Sequence, residues 1–168
     1  MTISIREYSL KIRPITPDDM ESVLEVYRLC EDFLALCPVP TASMEMVLKD
    51  IEISKREGGI YCGIFDAAGE MIGILDYVPG NYHGDLHNAY LSLLMLAAPF
   101  RNQGIGKAVV EASEEEVRKD EGVKTILAGV QVNNPKAVRF WQRQGYRIVS
   151  GPKLFDQTMV YDLRKDLK

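Results

Sequence analysis

The segment Arg101-Asn102-Gln103-Gly104-Ile105-Gly106-Lys107 carries residue types that can hold an anion. Its two glycines let backbone approach a ligand closely. If a helix follows, its first N–H groups have no partners within the helix and form a site for negative charge. Arg101 and Lys107 add positive charge suited to a phosphate or pyrophosphate. Spacing excludes two nucleotide-binding patterns. The P-loop requires a glycine five residues before its Gly-Lys pair and a Ser or Thr after it, and those positions hold Arg101 and Ala108. The dinucleotide fingerprint requires a glycine at 109, where a valine stands.

The flanking sequence supplies elements to position this loop. Before it, an apolar run carrying Tyr90 and Ser92 reads as a largely buried strand. After it, Ile105, Ala108, Val109 and Ala112 recur at helical spacing, and the helix continues to about residue 120. There Glu114 with Arg118 and Glu115 with Lys119 read as i, i+4 pairs on a solvated face. Upstream, residues 4–13 alternate as a first strand, and Thr16-Pro17-Asp18-Asp19 opens a helix. A second helix carries Met44, Val47, Leu48 and Ile51 and ends at Gly58-Gly59. Residues 60–66 and 71–78 form a hairpin, and 79–88 a polar loop. Downstream come a strand at 125–132, a short helix opened by Asn134-Pro135 with Trp141 on its inner face, and strands at 147–150 and 158–163 joined through Gly151-Pro152.

With an arginine three residues before Gly-x-Gly, a preceding strand and a following helix, the loop resembles the coenzyme A loop of the GNAT family of N-acetyltransferases. Residues 134–146 (Asn-Pro-Lys-Ala-Val-Arg-Phe-Trp-Gln-Arg-Gln-Gly-Tyr) are similar to that family's second signature, Asn-x-x-Ala, three residues, an aromatic and a Gly-aromatic ending. The element order fits the family along the whole chain. The resemblance implies an α/β (α+β) fold with a mixed, mostly antiparallel sheet of about seven strands, helices on both faces, and one domain over residues 1–168. It implies acetyl-CoA as donor, with its pyrophosphate on Arg101, Asn102, Gln103, Gly104, Ile105, Gly106 and Lys107. Backbone of Leu94, Met95 and Leu96 on a splayed or bulged strand would bind pantetheine and the acetyl oxygen, and Asn134, Phe140 and Arg143 would lie along the coenzyme.

The implied reaction is direct attack of a primary amine, on a small molecule or a protein, within a ternary complex. The amine must lose its proton, the carbonyl must be polarised, and the two must be held in line. Many family members carry a tyrosine acid where Trp141 stands, and indole does not release its proton at working pH. The acid role then falls to Tyr146, to Tyr90 or to water. The strand-five glutamate of peptide N-terminal acetylases corresponds to Gly129, and two histidines of the serotonin-acetylating branch correspond to Ser92 and Tyr90. Asp76 is a candidate for an acceptor ammonium, and His83 and His87 are candidates at the acceptor mouth because histidine titrates near neutrality. His83 and His87 with Asp85 lack further ligands at a metal-binding spacing, so no metal is expected. Trp141 and the missing glutamate motivate an alternative, a non-catalytic acetyl-CoA or CoA sensor.

Composition bounds the remaining choices. At 168 residues, with 46% hydrophobic and 26% charged residues, the chain is long enough for a proper core and reads as soluble and globular. A net charge of −4 argues against a nucleic-acid partner. Cys30, Cys37 and Cys62 read as free thiols in a reducing compartment. The longest apolar run is too short to span a membrane, and Arg6, Glu7 and Lys11 interrupt any leader-like start, so a cytoplasmic protein is expected. Homodimerisation is common in the family; nothing separate in the sequence bears on it.

Overall fold

The computed structural model describes Met1–Lys168. Its strands are β1 (Ile3–Ile5), β2 (Leu10–Pro14), β3 (Ile60–Phe65), β4 (Met71–Val78), β5 (Asn88–Leu96), β6 (Thr125–Gln131), β7 (Arg147–Phe155) and β8 (Thr158–Asp166). Its helices are α1 (Met20–Arg28), α2 (Glu31–Leu34), α3 (Met44–Arg56), α4 (Ile105–Val117) and α5 (Pro135–Arg143). The eight strands form one sheet in the order β1-β2-β3-β4-β5-β6-β8-β7. Every pairing is antiparallel except β5 with β6, which α4 connects. That mixed sheet, covered by helices on both faces, is the expected fold class.

Local chemistry sets the element boundaries. Asp66 turns the β3–β4 hairpin by accepting from the N–H groups of Ala68 and Glu70, both at 2.9 Å. Ser43 caps α3 by accepting from Met46 N–H, and Asn134 caps α5 by accepting from Ala137 N–H. Strand alternation divides the core between the two faces. Leu75, Ile126, Val109 and Trp141 pack on the α4–α5 side, while Ile74, Met95, Val23 and Val47 pack on the α1–α3 side.

Three local expectations change. Residues 4–13 are two strands, because a 3-10 turn at Arg6–Tyr8, left through Ser9 at φ 53°, folds β1 back on β2. Gly151-Pro152 lies inside β7, where a register shift absorbs it, and the hairpin turns at Asp156 and Gln157 instead. Glu114 is buried, not solvated: Lys165 Nζ donates to both its carboxylate oxygens at 2.8 Å, and Tyr146 donates to Oε1 at 3.1 Å. No helix is long and apolar enough to cross a membrane.

Two irregularities in β5 open the sheet. Asp76 pairs with Leu93 and Tyr77 with Leu91, which leaves Ser92 as the extra residue of a bulge. The ladder between β5 and β6 ends at Leu91 and Ala128, although both strands continue. Beyond that point the parallel strands diverge.

Candidate active site

The glycine loop is built as an amide cradle. Asn102 at φ 59° and Gly104 at φ 84° are left-handed, and Gly104 is the N-cap of α4 with no side-chain cap. The backbone N–H groups of Asn102, Gln103, Gly104, Ile105, Gly106 and Lys107 donate to no protein acceptor. They surround a helix N-terminus, where partial positive charge concentrates. A Cβ at Gly104 would lie 2.4 Å from the Tyr8 hydroxyl, and one at Gly106 would lie 3.3 Å from the Phe140 ring. The two sequence signatures thus adjoin where Gly106 meets the Phe140 ring, which in turn meets Trp141 edge-on at 5.4 Å.

Charge is placed differently from expectation. The Arg101 guanidinium is held by Asp32, and its Nε donates to the Leu96 carbonyl at 2.7 Å. Arg101 therefore braces the loop against α2. The Leu96 carbonyl, which also accepts from Cys30 Sγ, is likewise occupied. Lys107 sits exposed, 3.7 Å from Glu111, and the Gln103 side chain donates to Pro99.

The divergence of β5 and β6 forms a cleft of ≈ 750 Å³. Tyr90, Ser92, Leu94 and Met95 line it from β5, with Asn134 and Trp141 from the α5 side. Met95 is a core side chain, so it offers the cleft only backbone. Asn134 spends its side-chain oxygen on the helix cap, and Arg143 is exposed on the last turn of α5. Tyr146, a candidate acid, is not in the cleft. It is buried against Trp141 and gives its hydroxyl hydrogen to Glu114. His83 and His87 are drawn to the surface as well: His83 Nε2 lies 3.3 Å from Glu57, and His87 Nδ1 lies 2.9 Å from the Gly122 carbonyl.

Tyr90 remains. Its ring stacks on Tyr82 at 4.3 Å, and its hydroxyl stands 3.1 Å from where a Cβ on Gly129 would be. Burial pushes its pKa well up, which makes it a proton donor rather than a base.

A buried carboxylate lies under the bulge, behind cleft-lining Ser92. Asp76 is 5% exposed and accepts from Ser54 Oγ at 2.6 Å. Burial pushes its pKa up to about 6, against the opposing Ser54 and Ser92 hydroxyls. One helical turn before Ser54, Asp50 lines the cleft and accepts from Tyr27 at 2.7 Å, and the Tyr27 and Tyr61 hydroxyls are 2.6 Å apart. Sequence reading missed Asp50, Ser54, Tyr27, Tyr61 and Tyr8. The only signal for the α3 pair was two polar residues continuing the stripe of Val47 and Ile51 at i+3 and i+7.

Comparison with known proteins agrees with this geometry. The acetyltransferase (GNAT) family model matches residues 21–146. An acetyltransferase from Thermus thermophilus superposes with a TM-score of 0.77 at 26% identity, covering 99% of this chain and 100% of that one. Two further structures share the fold. The GNAT domain of S. lividans PAT has a TM-score of 0.73 at 20% identity, covering 99% of this chain and 96% of that one. Spermidine N-acetyltransferase from Vibrio cholerae, in complex with CoA and spermine, has a TM-score of 0.70 at 14% identity, covering 94% and 95%. No curated protein matches the chain. With the family model covering most of its length and the same fold beneath it, this chain belongs to the GNAT family of acetyltransferases.

Proposed function

We propose that residues 1–168 act as one catalytic domain that transfers an acetyl group from acetyl-CoA to a primary amine, on a small molecule or a peptide, within a ternary complex. One observation carries this reading. Unpaired amides at Asn102 to Lys107 follow β5 in the chain, the edge of β5 beyond Leu91 is unpaired and lines the cleft, and the buried carboxylate of Asp76 lies beside cleft-lining Ser92.

The cradle fits the donor's pyrophosphate, because its amides can satisfy several phosphate oxygens and a side chain at Gly104 would meet Tyr8. Backbone holds that charge, Lys107 adds to it, and Arg101 keeps the loop in shape. Acetyl-CoA would supply an activated acyl group as a thioester. A backbone N–H of β5 facing the splay can polarise a carbonyl placed there. Asp76 receives the amine's proton, since a carboxylate titrating at about 6 is ionised at neutral pH yet basic enough to take it. Tyr90 keeps its proton and can donate one. Asp50 and Asp76 make this end of the cleft attractive to an incoming ammonium.

The test is calorimetric titration with acetyl-CoA and CoA, comparing wild type with Gly104→Val, followed by thiol release over a panel of amines. Micromolar binding to wild type, lost in a variant that keeps its circular dichroism spectrum, supports the reading, as does amine-dependent thiol release. Absence of binding to wild type overturns it. Tight binding without turnover on any amine would favour a sensor.

A further inference from the structure

Asp76 is the proposed base, yet it does not line the cleft that would hold the amine. It is buried, and Ser54 on α3 occupies its Oδ1 at 2.6 Å. A Cβ on Gly59, just before β3, would stand 3.0 Å from the same oxygen, so that flank is closed too. An ammonium in the cleft therefore needs a group that reaches both it and the carboxylate. Ser54 cannot serve, because it is buried and absent from the cleft wall.

The side-chain alternation of β5 supplies one. Ala89 and Leu91 pack on the α4–α5 side of the sheet, whereas Leu93 and Met95 pack on the α1–α3 side. In a regular strand residues 91, 93 and 95 would share a face. They do not, because Ser92 is the extra residue of the bulge, and Ser92 and Leu93 both fall on the α1–α3 face. Asp76 lies on that face as well. Its neighbours Leu75 and Tyr77 pack on the α4–α5 side, and it alternates in step with Ile74 on the α1–α3 side. Leu93 is its partner across the ladder, so the bulge seats Ser92 against Asp76. The hydroxyl bonds to the carboxylate and favours its ionised form. Ser92 is also exposed and lines the cleft. Resting on the reading of Asp76 as proton acceptor, we infer that Ser92 is a catalytic residue, whose hydroxyl takes the proton of the acceptor ammonium from the cleft side and hands its own to Asp76 behind it.

Two protons leave the acceptor nitrogen. Before attack, the ammonium passes one to Ser92 Oγ as Ser92 passes its own to an Asp76 oxygen. The serine ends neutral, as it began, and no alkoxide forms. The neutral amine then attacks the thioester carbonyl. The C–N bond forms, the C–S bond breaks with its electron pair on sulfur, and the second N–H proton goes to that sulfur to give the thiol. Once the products leave, Asp76 returns its proton through Ser92 to water in the emptied cleft. The groups acting on the Asp76 carboxyl are Ser54 and Asp50 from α3 and Ser92 from β5. Tyr61 and Cys62 from β3 and Tyr90 from β5 feel its charge, and Tyr27 from α1 bonds to Asp50 and Tyr61. None of these is a cation, so Ser92 is the one hydroxyl that both favours the Asp76 anion and opens on the cleft.

Ser92→Ala and Ser92→Thr test this, because the first removes the hydroxyl from an exposed position and the second keeps it. Thiol release is followed against pH with the panel amine that turns over fastest. At neutral pH kcat/KM for the amine should fall by roughly tenfold or more in Ser92→Ala and stay near wild type in Ser92→Thr. Wild type should level off above the Asp76 titration. Ser92→Ala should keep rising with pH, because solvent then supplies the neutral amine, so its defect should narrow toward the amine's own pKa. A second readout needs no acceptor. In carbon-13 carboxyl NMR the Asp76 midpoint should rise above about 6 in Ser92→Ala and not in Ser92→Thr. A kcat/KM within about twofold of wild type in Ser92→Ala, a loss of equal size at every pH, or an unmoved Asp76 midpoint overturns the role of Ser92. Asp76→Asn separates the two levels. If it retains full turnover, the proton-acceptor reading fails and Ser92 with it. If it is inactive while Ser92→Ala behaves as wild type, only the role of Ser92 fails.

Discussion

Asp76→Asn should stabilise the fold at neutral pH while abolishing turnover. The carboxyl titrates at about 6 in the folded chain against an ordinary 3.8, with burial as the main cause. A raised carboxyl pKa means that the folded state binds the proton more tightly than the unfolded state. Stability is therefore highest while Asp76 is protonated, and is lost as pH rises through the interval from 3.8 to about 6. Taken at 1.36 kcal/mol per pKa unit, the gap between those two values gives a penalty of about 3 kcal/mol at neutral pH. Asparagine is isosteric, has no charge to desolvate, and can still accept from Ser54 through Oδ1. The asparagine protein should match wild type near pH 4 and exceed it by about 2–3 kcal/mol above pH 7. That corresponds to a Tm gain of roughly 5–10 °C for a chain of this length. Asp50, also raised by burial, gives the same trend in both proteins and largely cancels in the difference. Urea denaturation of both proteins at several pH values provides the measurement. A difference independent of pH, or an asparagine protein less stable at neutral pH, would refute the claim that Asp76 is held as a strained anion.

Three further outcomes follow from the pairings. Arg101→Ala should lower stability by about 1–3 kcal/mol, through loss of the Asp32 and Leu96 contacts, with only a small change in CoA affinity. A large affinity loss at unchanged Tm would place the guanidinium on the ligand instead. Lys165→Met should cost about 1–3 kcal/mol in urea melts because Glu114 loses its shortest cationic partner and keeps only Arg118 and the Tyr146 hydroxyl, whereas Lys165→Met with Glu114→Gln should recover much of that. Gly129→Glu should lower kcat, since its Cβ would stand 3.1 Å from the Tyr90 hydroxyl and displace that ring. A higher kcat would show that a carboxylate on β6 can be accommodated.

The parts legible in sequence were those fixed by local pattern. Gly104 and Gly106 marked the amide cradle because glycine there is a backbone requirement that neighbouring residues display. The β3–β4 hairpin was legible from Ala67-Ala68-Gly69-Glu70 for the same reason. What sequence could not show depended on distant partners. Arg101 looked like a phosphate ligand, but its partner Asp32 is 69 positions away. Glu114 with Arg118 satisfied the i, i+4 rule for a solvated helix face, yet Lys165, 51 positions away, makes it a buried charge. His83 and His87 were chosen for their titration range, and Glu57 and Gly122 decide where they point. Residue type announces what a side chain can do, and tertiary pairing decides whether it is free to do it.

The departures from the family pattern are connected in space. Gly129 leaves β6 without a side chain at the splay, and the Tyr90 hydroxyl stands against that opening. A side chain at 129 would require the Tyr90 hydroxyl to give way, so the missing β6 carboxylate and the β5 tyrosine are sterically linked. Two carboxylates, Asp76 on β4 and Asp50 on α3, lie on the other side of β5, where burial raises their pKa values. Burial on that covered face is the main cause that brings Asp76 to about 6, with the nearby Asp50 charge adding to it. Trp141 fits the same arrangement. A thiolate of ordinary pKa is a tolerable leaving group without a dedicated acid, so the position is free to serve as an apolar wall between Phe140 and Tyr146.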